Sequence, residues 1–242
     1  MSVEENKKNI QGNRRKIFDL ENAVLYNKGQ AYLVRSLVQE NQASISRNYF
    51  AAFLGNRQLA NANTEDIFRN RTAIVRNIET PNPVLVNYRE ALLNKVKLDF
   101  LEHRSKLNEK VLSISEQLAA VNRQLIDINR QILDANEEIV KFNADQIAAN
   151  SQLLSSGVNA SSATSASNAA LVAENARRIE EIGKRASENK SRISKVRLDA
   201  ESNKASITAN HADINGRRQR ILENHEKITA NQQLVGRFVG KL

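Results

Sequence analysis

"ILENHEKITANQQLV", residues 221–235, repeats with a period of seven residues. Ile221, Ile228 and Val235 form an aliphatic row, and Asn224 and Asn231 follow its first two members by three residues. Residues spaced alternately by three and four lie along one stripe of an α-helix, at the a and d positions of a coiled coil. The stretch therefore predicts a helix whose seam carries aliphatic residues at a and asparagine at d.

The composition of the whole chain favours long helices. Its 242 residues are 40% hydrophobic and 26% charged, with 5% aromatic residues and 2 prolines. So few aromatic residues do not fill an ordinary globular core, and so few prolines and glycines do not supply the turns of a β or α/β fold. Because the chain contains no cysteine, it forms no disulfide and offers no thiol chemistry.

The asparagines repeat with the same period along the chain. Of the 30 asparagines, 24 fall into three heptad series, and the first series skips one residue near 55–56. Aliphatic residues precede the asparagines by three residues in the first and third series, and by four in the second. The second series therefore exchanges the a and d roles. The asparagines predicted to form core layers are Asn56, Asn70, Asn77, Asn87, Asn94, Asn108, Asn129, Asn189, Asn210, Asn224 and Asn231.

Two breaks divide the repeat into three helical segments. TPNPV at 80–84 holds both prolines, and SSGVNASSATSAS at 155–167 is a polar stretch of small residues. We expect one rod-like domain over residues 1–242. Its predicted parts are helix one at 3–79 with a skip near 55–56, a turn at 80–84, helix two at 84–152, a loop at 153–167 and helix three at 168–236.

These segments predict an all-α fold, an elongated antiparallel three-helix coiled coil in up-down-up order with heptad-spaced asparagine core layers. In an antiparallel pair the a positions of one helix meet the d positions of the other, so the exchange in helix two brings asparagine level with asparagine. One such layer joins Asn56, Asn108 and Asn210. Apolar residues flank the asparagine row of helix two on both sides, which predicts that it contacts two neighbours. Each helix is roughly 105–115 Å long at 1.5 Å per residue.

Asparagine in the seam is interpreted as a device that fixes register. A buried amide weakens a core unless it is hydrogen-bonded, and in return it specifies how the helices align. The heptads ITANHADI (207–214) and ITANQQLV (228–235) resemble the Ile-x-x-Asn repeats in the stalks of trimeric autotransporter adhesins and of some phage fibres. Inward asparagines in those stalks can coordinate anions, and the resemblance implies water or anions along the axis as the alternative to amide pairing.

No catalytic, cofactor-binding or metal site is predicted, and no small-molecule substrate. The sequence contains no Gly-rich phosphate loop, HExxH motif or nucleophile elbow. His103, His211 and His225 fall outside the predicted seam, and a zinc clip between His103 and His211 is the alternative to solvated side chains. We therefore expect a protein that is not an enzyme.

Helix three carries two basic rows at heptad spacing. We expect these residues to pair with acidic residues on neighbouring helices. The alternative is a stripe that binds a polyanion without sequence preference, in keeping with a net charge of +9. The first row is Arg178, Arg185 and Arg192, and the second is Lys190, Arg197, Lys204 and Arg218.

The leading hypothesis for function is a non-enzymatic structural protein that binds itself and assembles into a filament, fibre or sheath. The apolar C-terminus, with Phe238, Val239 and Leu242, is the predicted assembly end. The alternative is a rod-shaped scaffold or adaptor that binds a polyanion or another helical partner through the basic third helix.

The sequence predicts no transmembrane helix, because it has no stretch of about 18 apolar residues. Asparagine at the centre of each apolar face also argues against a lipid-binding role. The N-terminal MSVEENKKN lacks the apolar core of a secretory signal peptide. We therefore expect a cytoplasmic protein, or export by an unconventional route.

Overall fold

The computed structural model describes residues 2–157, 160–161 and 163–239. These ranges are almost entirely helical and contain no strand, which confirms the predicted all-α fold class. The elements are α1 (Val3–Phe50), a π-helix (Ala51–Asn56), α2 (Arg57–Arg76), α3 (Pro83–Ser156) and α4 (Ser165–Val239).

Side-chain caps fix where α1 and α3 begin. The Ser2 hydroxyl accepts a hydrogen bond from the Glu5 backbone N–H, and the Glu5 carboxylate accepts one from the Ser2 backbone N–H, each at 3.2 Å. This reciprocal capping box satisfies two N–H groups that lack partners within the helix. Asn82 caps α3 through its side-chain oxygen, and Pro83 follows at the first helical position, where its missing N–H is not needed.

The first long helical stretch ends earlier than predicted. We expected helix one to reach residue 79, but α2 ends at Arg76. Pro81 disfavours helical geometry at the residue before it and cannot donate a backbone hydrogen bond, so the chain leaves the helix ahead of it. The turn between α2 and α3 consequently lies at 77–82 and not at 80–84.

The polar break between α3 and α4 is shorter than predicted. We expected a loop at 153–167, whereas α3 continues to Ser156 and α4 begins at Ser165. Gly157 stops α3 because it takes φ = 70°, a conformation that glycine adopts without strain. The Thr164 backbone N–H donates to the Ser167 hydroxyl at 2.9 Å, and the Ser167 backbone N–H donates to the Thr164 hydroxyl at 3.0 Å. These two hydrogen bonds cap the start of α4.

The π-helix lies at the position of the one-residue skip in the heptad pattern. It covers Ala51–Asn56, and α1 enters it and α2 leaves it without a break in the helical backbone. A π-helical turn takes in one more residue than an α-helical turn. The extra residue is therefore absorbed locally, and the rows of α1 and α2 stay on one face.

Contacts divide the chain into two compact units. Unit 1 comprises Met1–Thr64 and Ser161–Thr229, and unit 2 comprises Glu65–Ala160 and Ala230–Leu242. The single rod-like domain expected from the sequence stays a prediction.

Unit 1 is built from α1 and α4, which meet along one row of each helix. The buried members of both rows recur at intervals of seven residues or multiples of seven. As the residue numbers of the asparagine donors increase, the residue numbers of their hydrogen-bond partners on α4 increase too. The two helices therefore run in the same direction. The row of α1 is Asn6, Asn13, Leu20, Asn27, Val34, Asn41 and Asn48, and the buried residues of the α4 row are Val172, Ile179, Ala186, Ala200 and Ile228.

Unit 2 contains the packed turn between α2 and the start of α3. Val75 and Val96 are buried there, and the rings of Phe68 and Phe100 meet edge to face with centroids 5.1 Å apart. Two ion pairs join the helices, Glu65 with Arg104, and Arg71 with Asp99 at 3.3 Å. The residue numbers of the partners on α3 decrease as those on α2 increase, so the two helices run in opposite directions.

The greater part of α3 is exposed. Every residue from 112 to 156 is exposed, including Ile126 at 65%, Leu133 at 67% and Phe142 at 62%. The broad apolar face that predicted contacts with two neighbours therefore lies open over this range. Such a surface is unusual for a protein that acts alone in water, because each buried aliphatic side chain contributes about 1.5–3 kcal/mol relative to exposure.

Candidate functional site: the asparagine seam and the groove beside it

The seam of unit 1 is a ladder of side-chain amides bonded to a helix backbone. Seven asparagines on α1, the π-helix and α2 each donate a hydrogen bond from Nδ2 to a backbone carbonyl of α4, over N···O distances of 2.7 to 3.0 Å. The pairs are Asn6 with Ser165, Asn13 with Val172, Asn27 with Ala186, Asn41 with Ala200, Asn48 with Ile207, Asn56 with Ile214 and Asn63 with Ile221.

The acceptors of this ladder are carbonyls within the helix α4. A backbone carbonyl has two lone pairs, and the bond within the helix uses only one of them. The second lone pair is available on the side of the helix that faces the seam. The amide nitrogen of each ladder asparagine is thereby bonded without disrupting the α4 backbone, and each bond contributes about 0.5–1.5 kcal/mol net.

The seam register changes by one residue at the π-helix. From Asn6 to Asn48 the donor and acceptor are 159 residues apart, and at Asn56 and Asn63 they are 158 apart. The π-helix lies between these two groups. It therefore keeps the asparagine row facing the carbonyls of α4 on both sides of the inserted residue.

Two histidines of α4 complete the hydrogen bonding of two seam amides. His211 Nδ1 lies 3.0 Å from Asn48 Oδ1, and His225 Nδ1 lies 3.0 Å from Asn63 Oδ1. An amide oxygen only accepts, so Nδ1 is the protonated nitrogen in both rings. These histidines act as donors to the seam. The second nitrogen of His211 lies 3.1 Å from the Asn215 amide nitrogen, from which it accepts.

Two other seam amides keep a buried oxygen without a partner among the described atoms, Asn6 Oδ1 and Asn56 Oδ1. Arg218 occupies, near Asn56, the heptad position that His211 and His225 occupy elsewhere on α4. Its Nη1 lies 3.5 Å from the position that a Cβ on Gly55 would take. The guanidinium is thus beside the π-helix, at the level of the unpartnered oxygen.

The predicted core asparagines divide into three groups. Asn56 is buried in the seam, and Asn70 and Asn77 are half-buried. The remaining predicted members are exposed. They are Asn87, Asn94, Asn108, Asn129, Asn189, Asn210, Asn224 and Asn231.

The contacts of the seam differ from the predicted amide layers. We expected Asn56 level with Asn210, but its amide donates to the carbonyl of Ile214, four residues further along α4. Likewise the Asn63 amide donates to the carbonyl of Ile221 and not to a second asparagine. Helix carbonyls occur at every residue and hold a fixed direction, so an amide finds one more readily than a second flexible amide.

Six seam asparagines were missing from the predicted layers, although they belong to the first heptad series. The series itself was the usable signal, because its members recur at seven residues or multiples of seven on either side of the one-residue skip. What the series did not show was the partner, because a backbone carbonyl of α4 accepts each bond in place of a second asparagine. The six asparagines are Asn6, Asn13, Asn27, Asn41, Asn48 and Asn63.

An open groove runs along one side of the seam in unit 1. Two parts of it have volumes of about 630 and 580 Å³. Its α1 wall is the exposed aliphatic row, including Val24 and Ile45, and its α4 wall includes Ile182 and Val196. All four of these side chains are 42–54% exposed. We call this surface the open groove; its other wall residues include Ala31, Ala52, Asn189, Ile193 and Asn210.

The two basic rows of α4 lie on opposite sides of the seam. Arg185 and Arg192 line the open groove together with Lys28 of α1. The second row shares its heptad position with His211 and His225, on the side where the seam oxygens accept hydrogen bonds. The cationic edge of the open groove thus comes from the row that begins at Arg178, which is itself exposed.

Most ion pairs of α4 are internal to that helix, contrary to the expected pairing across helices. Arg185 pairs with Glu181 at 2.6 Å and Arg197 with Glu201 at 2.9 Å. A hydrogen bond from Arg177 also lowers the pKa of the Glu174 carboxyl. Residues four apart on a helix already face each other, so they pair at little cost in side-chain ordering. One pair does cross to α1, Lys204 with Glu40 at 3.7 Å.

The described residues offer no cluster of three or more potential metal ligands. His211 is bonded to the seam, and the alternative of a zinc clip with His103 finds no support in its contacts. No helix among the described residues is both long and apolar enough to cross a membrane.

The predicted assembly end lies outside the described part of the chain. Phe238 and Val239 are the last two residues of α4, but only their backbone is described, and Leu242 lies beyond the described residues.

Comparison with protein-family models, with curated proteins and with solved structures gives no match for this chain.

Proposed function

We propose that this chain is a non-enzymatic structural protein that self-assembles into a filament, fibre or sheath through a three-helix coiled coil with asparagines in register. The observation that carries the proposal is a pair of uncovered apolar surfaces with the same period. One is the aliphatic row of α1 beside the open groove, and the other is the apolar face of α3. Both repeat every seven residues, as the faces of interacting coiled-coil helices do.

The seam covers only one of the two heptad rows of α1. Its asparagine row faces α4, whereas its aliphatic row is exposed by 44–54% from Ile10 to Ile45. A stripe of this kind is typical of a helix that contacts a further helix along its length. The exposed members of the row are Ile10, Ile17, Val24, Val38 and Ile45.

A broad apolar face on α3 supports association of whole molecules. It includes large exposed side chains along more than ten helical turns, from Leu112 to Leu154. Extended apolar patches on a soluble surface are typical of protein interfaces. Covering each large side chain contributes about 1.5–3 kcal/mol, so a few buried turns are enough to offset the entropy lost on association.

Negative-stain electron microscopy of the purified protein tests the proposal. We expect filaments, fibres or sheaths whose repeat is set by the helical unit, and we expect them to disperse in mild denaturant. Discrete particles of single-chain size at every concentration would contradict self-assembly.

A scaffold or adaptor that binds a polyanion is the second candidate, favoured by the cationic edge of the open groove. Lys28, Arg185 and Arg192 border one apolar depression, and the chain carries a net charge of +9. This candidate predicts discrete particles that bind heparin with an affinity that falls steeply as salt is added. Reversing the charge of Arg185 and Arg192 would weaken that binding, whereas it would leave binding unchanged if the groove is not the site.

A further inference from the structure

We infer that the open groove of one molecule receives residues 112–153 of α3 from a second copy of the chain. The inference rests on the proposed self-assembly and names the two surfaces that meet. Both surfaces are exposed in the structure, and each lacks a covering helix along its apolar row.

The residue types of the two surfaces match row by row. The open groove offers an aliphatic row from α1 and the exposed asparagine row of α4, which includes Asn189 and Asn210. The matching face of α3 also offers one aliphatic and one asparagine row. These rows are Leu118, Leu125, Ile132 and Ile139, and Asn122, Asn129, Asn136 and Asn143.

The order of these rows indicates the direction of the incoming helix. In α1 an aliphatic residue precedes the asparagine row by three residues, and in α3 by four. The incoming α3 helix has its aliphatic and asparagine rows in the exchanged order. Its aliphatic residues therefore meet the aliphatic row of the groove, and its asparagines meet the asparagine row, only when it runs antiparallel to α1 and α4. Exposed amides on both sides would then satisfy one another, which removes the penalty of burying them.

The opposite net charges of the two segments favour the same pairing. Residues 116–145 of α3 carry six acidic and three basic side chains, whereas α1 and α4 are both net basic. The cationic edge of the open groove is formed by Lys28, Arg185 and Arg192. The acidic residues in the C-terminal part of this segment are Glu137, Glu138 and Asp145, which lie outside its aliphatic and asparagine rows.

Matching the two aliphatic rows in antiparallel order defines a register that an experiment can test. When Ile139 of the incoming helix lies beside Ala31 of the groove, Ile132 lies beside Val38 and Leu125 beside Ile45. Each copy has one groove and one α3, so the exchange closes as a reciprocal pair or continues from molecule to molecule. Continued exchange yields the filament of the proposed function.

Disulfide trapping between copies tests this register, since the natural chain has no cysteine. A tagged Ala31→Cys chain and an untagged Ile139→Cys chain are refolded together, oxidised and separated without reductant. We expect a mixed dimer of the two chains. Lys141→Cys, on the opposite side of α3, is the matched control, and we expect about tenfold less mixed dimer because a disulfide needs Cβ atoms about 3.8 Å apart. Circular dichroism verifies that all three variants remain helical.

The possible failures are distinguishable. If wild-type protein sediments as a single chain, the proposed self-assembly falls, and this inference falls with it. If wild-type protein assembles but Ile139→Cys links to Ala31→Cys no better than Lys141→Cys does, only the inferred docking is overturned. A chain carrying both Ala31→Cys and Ile139→Cys supplies a last check. Exclusive closure within that chain, at concentrations where wild-type protein assembles, would also overturn docking by a second copy.

Discussion

Each buried asparagine of the seam bonds a helix backbone. Asn41 is 8% exposed, and its amide donates to the carbonyl of Ala200 at 2.7 Å. The residue that supplies the carbonyl is alanine at Ala186 and Ala200, and it is valine or isoleucine at most other steps of the ladder. The seam therefore combines polar donors on one helix with small or aliphatic residues on the other.

Replacing Asn41 with alanine is expected to lower the free energy of unfolding by about 1–2 kcal/mol, because it removes one hydrogen bond and leaves a gap in the seam. The α4 carbonyl keeps its bond within the helix, so no buried acceptor is left bare. Chemical denaturation followed by circular dichroism measures the change. Asn22→Ala, an exposed asparagine in the same helix, is the matched control and should shift stability by less than about 0.5 kcal/mol. Equal effects at both positions would contradict the seam.

The sequence predicted part of this arrangement. Heptad spacing identified the asparagine row of α1 as a seam, since only one helical face repeats every seven residues. It did not identify the acceptors, because every helix presents the same carbonyls whatever its side chains are. The roles of His211 and His225 as donors to Asn48 and Asn63 were missed for the same reason. They depend on the axial alignment of α1 with α4.

At the scale of secondary structure, the π-helix determines whether the seam is continuous. Asparagine donors before and after Ala51–Asn56 reach α4 with offsets of 159 and 158 residues. One extra residue in an α-helix would rotate everything after it by about 100°, away from the partner helix. The wider turn removes that rotation.

Deleting Gly55 is expected to convert the π-helix into ordinary α-helix and to preserve every seam bond. With one residue removed between Asn48 and Asn56, the donors before and after the π-helix are separated from their α4 acceptors by the same number of residues. Loss of a glycine from a helix interior also favours the folded state by about 0.5–1 kcal/mol. Thermal unfolding should show an unchanged or higher midpoint.

Deleting Ala31 is the control for that experiment. It removes one residue from the middle of α1, where no compensating insertion exists, and rotates the asparagines before it away from α4. A clear drop in the thermal midpoint is expected. Equal loss of stability from both deletions would show that the π-helix does not set the register.

The elements themselves were predictable to differing degrees. The skip near 55–56 was visible in the sequence because a heptad pattern records every inserted residue. Helix ends were less visible. The cap formed by Thr164 and Ser167 lies inside a stretch of serine and alanine that read as a loop, and its geometry depends on which hydroxyl meets which N–H.

At the scale of the whole molecule, the exposed face of α3 is expected to drive association. Leu125→Glu combined with Ile132→Glu places two charges on the aliphatic row of that face. We expect association to weaken by at least about tenfold, because each buried charge without a partner costs several kcal/mol. Sedimentation velocity measures the loss of assembled material.

Ala120→Glu combined with Ala148→Glu supplies the matched control, because it adds the same charges to the opposite side of α3. Association should be nearly unchanged in this variant, and helicity should be unchanged in both. If the two double variants assemble equally well, the aliphatic row of α3 is not the interface.

The central claim is that the heptad rows left open on α1 and α3 are completed by other copies of the chain. Sedimentation equilibrium of the wild-type protein over a hundredfold range of concentration tests this claim most directly. We expect an average mass that rises with concentration to multiples of the 27.1 kDa chain. A constant mass of 27.1 kDa over the whole range would contradict it.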